Sequence, residues 1–231
     1  MNPDHIDFIS SYCDRWCERC AFTDRCSAFT AMTAIAMCED DRAGLELAFG
    51  RAPDDTGKVA PLPGWLEDFV EEPISPAEEA ELTRRHDERR RRVEEMTIMQ
   101  TAKAFMNLAH QWLGEWHEEL ARRDDLVREA FEIAAHDFMF IRVKLHRALD
   151  GWDCRGTDDD SDDDPVQNDW NGSAKTALLA IERSAEAWSV LASATGQHTP
   201  AVLAAQLTDL RVEVERTFPD AWRFRRPGFD E

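Results

Sequence analysis

Four of the chain's six cysteines fall within fourteen residues, as Cys13, Cys17, Cys20 and Cys26 in the run YCDRWCERCAFTDRC. The thiolate is the metal ligand and the nucleophile, so such a run admits a metal centre, disulfide pairs, or a sulfur-rich apolar seam beside Tyr12, Trp16 and Phe22. In a reducing compartment clustered thiols are metal ligands more often than disulfides. The spacing C-x3-C-x2-C-x5-C suits an iron–sulfur (4Fe-4S) cluster, which takes four thiolates from a compact run, and this is the leading expectation. Zinc is the alternative. On a continuous helix Cys13 and Cys20 would stand about 10 Å apart along the axis, whereas Zn–S bonds of ~2.3 Å require the sulfur atoms to lie within about 4 Å of one another. Either the helix unwinds at the site or only a subset of the cysteines ligates zinc, and convergence of all four on one centre requires the first helix to break between Cys13 and Cys20.

Over eight residues the C-x3-C-x2-C portion resembles the cluster-binding motif of radical SAM enzymes. That resemblance implies a β/α barrel, which the helical pattern of this chain does not supply. Cys17-Glu-Arg-Cys20 is not followed by His, against c-type haem attachment, and lacks the βαβ setting of a thioredoxin-like redox pair. Cys38 and Cys154 stand apart from the cluster and are not expected to ligate.

A second set of residues with metal or acid–base chemistry lies further along: His110, Glu115, His117 and Glu118, then Glu129, Glu132, His136, Asp137 and His146. Ferritin-like dimetal sites place Glu-x-x-His at i, i+3 on two helices, whereas Glu132 and His136 are at i, i+4. A bundle enzyme using this set predicts a polar cavity between helices at about 100–120 and 125–149. The base expectation is surface or satisfied polar side chains. Asp137 is different, because it falls between Ala134 and Ile141 on the inward stripe and needs a partner, for which Arg142 and Lys175 are candidates. The run 158–169 lacks the glycine and the terminal glutamate of a calcium loop, and no phosphate-binding, dinucleotide or hydrolase motif is present.

These residues need helices to position them. The chain carries eight Trp and twelve Phe with only ten Gly and ten Pro, and its long breaker-free stretches with apolar residues at 3.6-residue spacing predict an all-α class. Asn2-Pro3 marks a helix start, and Ile6, Ile9, Cys13, Trp16, Cys17 and Cys20 then share one face. A second helix is expected from about Cys26 to Phe49, ended by Gly50, so residues 1–50 read as a cysteine-bearing αα-hairpin. Five prolines and three glycines within 50–76 make 51–75 a connector. Residues 76–231 read as a four-helix-bundle-like domain. Its segments run at 76–122, with a possible break in the arginine-rich 84–92, then at 125–149, 174–195 and 200–217. Ser75, Asp124 or Asp125, Ser173 and Thr199 are the expected caps, and a disordered acidic loop is expected near 153–170.

A formal charge of −20 repels nucleic acid and anionic membranes. No stretch reaches the ~18 apolar residues of a membrane span, and the N-terminus has no signal-peptide pattern, so a cytoplasmic protein with a protein partner is expected. Three functions follow: a cluster protein with a redox, sensing or accessory role; a zinc-clipped interaction module; and a metal-dependent bundle enzyme.

Overall fold

The computed structural model describes residues 4–38, 40–50, 75–155 and 164–230. The connector at 51–74, the start signal at Asn2-Pro3 and the aspartate run at 158–163 lie outside the described residues. Among those described there is no strand, and the chain is all-α. The helices are α1 (Ser27–Cys38), α2 (Asp41–Phe49), α3 (Pro76–Glu95), α4 (Thr97–Leu120), α5 (Asp125–Cys154), α6 (Asp169–Thr195) and α7 (His198–Thr217). The chain divides into two compact units, Met1–His86 with Pro227–Glu231, and Asp87–Arg226.

The second unit is a four-helix bundle. Helix α4 packs on α5, α5 on α6, α6 on α7, and α7 back on α4, which closes the ring. Its core holds Phe105, Trp112, Ile141, Leu145, Leu178, Ile181, Trp188, Leu203, Leu207, Leu210 and Val214, all buried. These are the inward positions that helical periodicity selects. Caps set the boundaries. Ser75 and Glu78 form a capping box, Oγ of Ser75 accepting from the Glu78 amide (3.3 Å) and Oε2 of Glu78 from the Ser75 amide (2.9 Å). Asp124 accepts from the Val127 amide at 3.2 Å to open α5.

Several boundaries differ from expectation. The arginine-rich 84–92 stays helical, and the break comes at Met96, whose ψ of 138° is extended. Helix α5 continues past Asp150 to Cys154, and α6 begins at Asp169, so both ends of the presumed acidic loop are helical. The cap of α6 is Asn168, which accepts from the Asn171 amide at 2.9 Å, while Ser173 is buried inside the helix. Helix α7 is preceded by Gln197 rather than capped by Thr199.

The largest correction concerns the N-terminus. No α-helix spans the cysteines; instead three 3-10 turns cover Ile9–Ser11, Cys17–Arg19 and Thr23–Arg25. The helical hairpin comes after them, as α1 and α2, because Asp40 captures the Ala43 amide at 2.7 Å and restarts the chain as a new helix. No described helix is long and apolar enough to cross a membrane.

Candidate metal centre

The cysteine run leaves the helix for reasons visible in its own side chains. Asp14 Oδ1 accepts from the Trp16 amide at 3.1 Å, an Asx turn that competes with helical bonding. Arg15 then adopts φ 63°, a left-handed conformation uncommon for a side chain of this kind. The next two turns repeat one design: Cys17-Glu-Arg and Thr23-Asp-Arg each close through an amide donated by the following cysteine, Cys20 to Cys17 O (3.2 Å) and Cys26 to Thr23 O (3.4 Å). Cys20 and Cys26 both leave their turns in extended conformation. The start of the chain is tied down beside them, with the Ile6 amide donating to Arg25 O at 3.0 Å and Arg25 Nε to Asp4 O at 3.1 Å.

This path brings Cys13, Cys17, Cys20 and Cys26 around one small cavity of about 20 Å³, walled by Ile9, Trp16, Phe29 and Phe229. All four are half-buried free thiols. Burial pushes the Cys17 thiol above its ordinary value, and the thiols of Cys13, Cys20 and Cys26, followed by Glu18, push it further. The three other sulfurs are therefore within electrostatic reach of Cys17. Two hydrogen bonds hold sulfur: Cys13 donates to Ser10 O (3.5 Å), and the Phe22 amide donates to Cys20 Sγ (3.4 Å). An amide aimed at sulfur is the kind of outer hydrogen bond that orients a thiol ligand at metal–thiolate sites. Arg19 lies over the Trp16 ring at 4.0 Å. As they stand, no three His, Cys, Asp or Glu side chains among the described residues are arranged to hold a metal ion; the thiols share a cavity without being drawn to ligand distances. The donor set itself, four soft thiols in an apolar pocket, fits zinc or an iron–sulfur cluster.

Cys38 ends α1 and does not line the cavity, and Cys154 belongs to the bundle, where Arg89 Nη1 donates to its sulfur at 2.8 Å. Neither lines the cavity of the four clustered cysteines.

The bundle residues are brought together only in part. His110, Glu115, His117 and Glu118 line an open groove of about 930 Å³ between α4 and α5, where the enzyme reading requires a cavity. Its charged residues are engaged with near neighbours in sequence: Gln111 donates to Glu115 (3.1 Å), and Arg122, in the turn after α4, pairs with Glu118 (3.5 Å). His110 lies against Phe138 and His117 against Phe131. Glu129 and Glu132 are exposed, and His146 faces Glu94 at 3.8 Å. Asp137 is fully buried and finds its partner in Arg183, which donates from Nε (2.7 Å) and Nη2 (2.6 Å), with His136 Nδ1 at 2.8 Å. Neither expected partner serves it: Arg142 pairs with Glu94, and Lys175 donates to Phe224 O. Arg183 and Phe229 were invisible to the periodicity argument because both meet their partners from distant points in sequence.

Comparison of the chain with protein-family models, curated proteins and solved structures finds no match, so the reading of function rests on the chemistry of this site.

Proposed function

We propose that this chain is a metal-binding protein in which Cys13, Cys17, Cys20 and Cys26 ligate a single centre in the N-terminal unit. The observation that carries the reading is their convergence on one small cavity. Four thiols without a cation gain little from such an arrangement, and Cys17 resists ionisation there; a divalent metal reverses that sign and repays the assembly. Zinc is the metal we take first. The helix that would have kept Cys13 and Cys20 apart is replaced by turns. Four thiolates around a single ion complete the tetrahedral shell that zinc takes in closed sites. The described part of the N-terminal unit also buries few apolar side chains, Ile9 and Ala34, and small units of this kind are held by a metal clip. The role is then an interaction module, whose acidic surface recruits a basic protein partner. The second reading, a [4Fe–4S] cluster with a redox, sensing or accessory role, is favoured by the C-x3-C-x2-C-x5-C spacing.

Metal analysis of anaerobically purified protein tests the proposal. Stoichiometric zinc in a colourless protein is expected; iron with sulfide and broad visible absorption selects the cluster; neither metal ends the reading. Cys→Ser changes at positions 13, 17, 20 and 26 should each lower bound metal, whereas Cys38→Ser and Cys154→Ser should not.

A further inference from the structure

The cavity has one wall that does not come from the cysteine run. Pro227–Glu231 leave the bundle unit and belong to the N-terminal unit, where Phe229 lines the cavity and meets Phe22 edge-to-face at 5.1 Å between ring centres. The residue before it is shaped for this seat. Gly228 has φ 77°, and a Cβ there would stand 2.9 Å from Ile6 Cδ1 and 3.1 Å from Ile9 Cδ1. A glycine thus supplies both the left-handed turn and the close approach that bring the next ring into the wall of the thiol cavity. Ile9, buried at 3 % exposure, is shared between the strap and the cavity wall.

We propose that the C-terminal strap is part of the metal centre, with Phe229 as the positioning residue that shields it from solvent and chelators. This rests on the thiolate-centre reading above. A large aromatic ring over a metal–thiolate site lowers local polarity and blocks the approach of a competing ligand, so it acts on the rate at which metal leaves more than on the number of ions held. Residues 13–26 and Phe229 then meet at one site, and loss of Pro227–Asp230 would open a centre whose ligands all lie within 13–26.

The test uses the full-length chain loaded with zinc and compares Phe229→Ala, Phe229→Leu and wild type. Removal of zinc by a colorimetric chelator should be about tenfold faster in Phe229→Ala, with zinc content retained, and Phe229→Leu should fall near wild type. In parallel, iodoacetamide labelling of metal-free, reduced protein, mapped by mass spectrometry, reads the strap without metal: Cys13, Cys17, Cys20 and Cys26 should label faster in Phe229→Ala, with Cys154 in the bundle unchanged. Equal chelation and labelling rates in all three proteins overturn the strap. If wild type binds neither zinc nor iron, the centre itself fails, and faster labelling in Phe229→Ala then shows only an apolar shield.

Discussion

Asp137→Asn and Arg183→Met should destabilise the bundle unequally, and the direction of the inequality follows from burial. The Asp137 carboxylate is fully buried and receives two hydrogen bonds from Arg183, whose side chain keeps 30 % of its exposure. Charge-assisted bonds of this kind contribute about 1.5 kcal/mol or more each. Asp137→Asn removes the charge and sets an amide against two donors, but Arg183 can turn toward water, so the loss should be about 3 kcal/mol. Arg183→Met leaves a buried carboxylate with His136 as its remaining partner among the contacts described here, and stranding a buried charge costs about 3–5 kcal/mol. That variant should be the worse of the two, near the upper end. Urea unfolding followed by tryptophan fluorescence reports on this unit through Trp112 and Trp188, both buried in its core. For a protein of this size each kcal/mol moves the melting midpoint by roughly 2–4 °C, so Asp137→Asn should melt about 6–12 °C lower. An Asp137→Leu/Arg183→Met double variant should recover part of the loss, because apolar replacement of both partners strands no charge. A loss under about 1 kcal/mol for Asp137→Asn, or a smaller loss for Arg183→Met than for Asp137→Asn, would refute the reasoning.

Gly44→Ala should disrupt the α1–α2 crossing, because the new Cβ would run into Ile35 Cα and stand 2.6 Å from its nitrogen, and backbone cannot step aside as a side chain can; a cost of about 1–3 kcal/mol should appear as faster amide exchange across residues 27–49, and unchanged exchange would contradict the close approach. The raised Cys17 thiol has a defined pH signature in metal-free protein. Its contribution to stability is intact below the ordinary value of 9.0 and is lost as pH climbs through the higher folded value, so the N-terminal unit should loosen in alkali, read by labelling of its cysteines. Metal loading must expel that proton, and apparent zinc affinity should therefore rise from about pH 6 to 8; affinity flat with pH would argue that no thiol is displaced.

Much of the bundle was legible because its signals are local. Leu178, Ile181 and Trp188 on α6, and Leu203, Leu207, Leu210 and Val214 on α7, sit at helical spacing, and each is buried. The cap at Asp124 and the box at Ser75–Glu78 bind amides three residues away, so a short window of sequence contains both partners. The same locality misled at the N-terminus. The apolar and cysteine positions from Ile6 to Cys20 fit a helix, but Asp14 takes the Trp16 amide and Arg15 turns left-handed, so the periodicity is spent on a different backbone.

The sequence by itself determined the residue types: four thiols close enough in the chain to share a site, an acidic surface, and helices amphipathic enough to need a bundle. Tertiary structure alone decided which groups meet. Asp137 could have paired with any nearby cation on its own helix, and it is Arg183, from the antiparallel neighbour, that arrives in fork geometry. Phe229 lies more than two hundred residues from the cysteines whose cavity it helps line. Contacts of that sequence separation leave no periodic trace, because they arise only when independently formed turns and helices pack, and the cavity they close exists only in the folded chain.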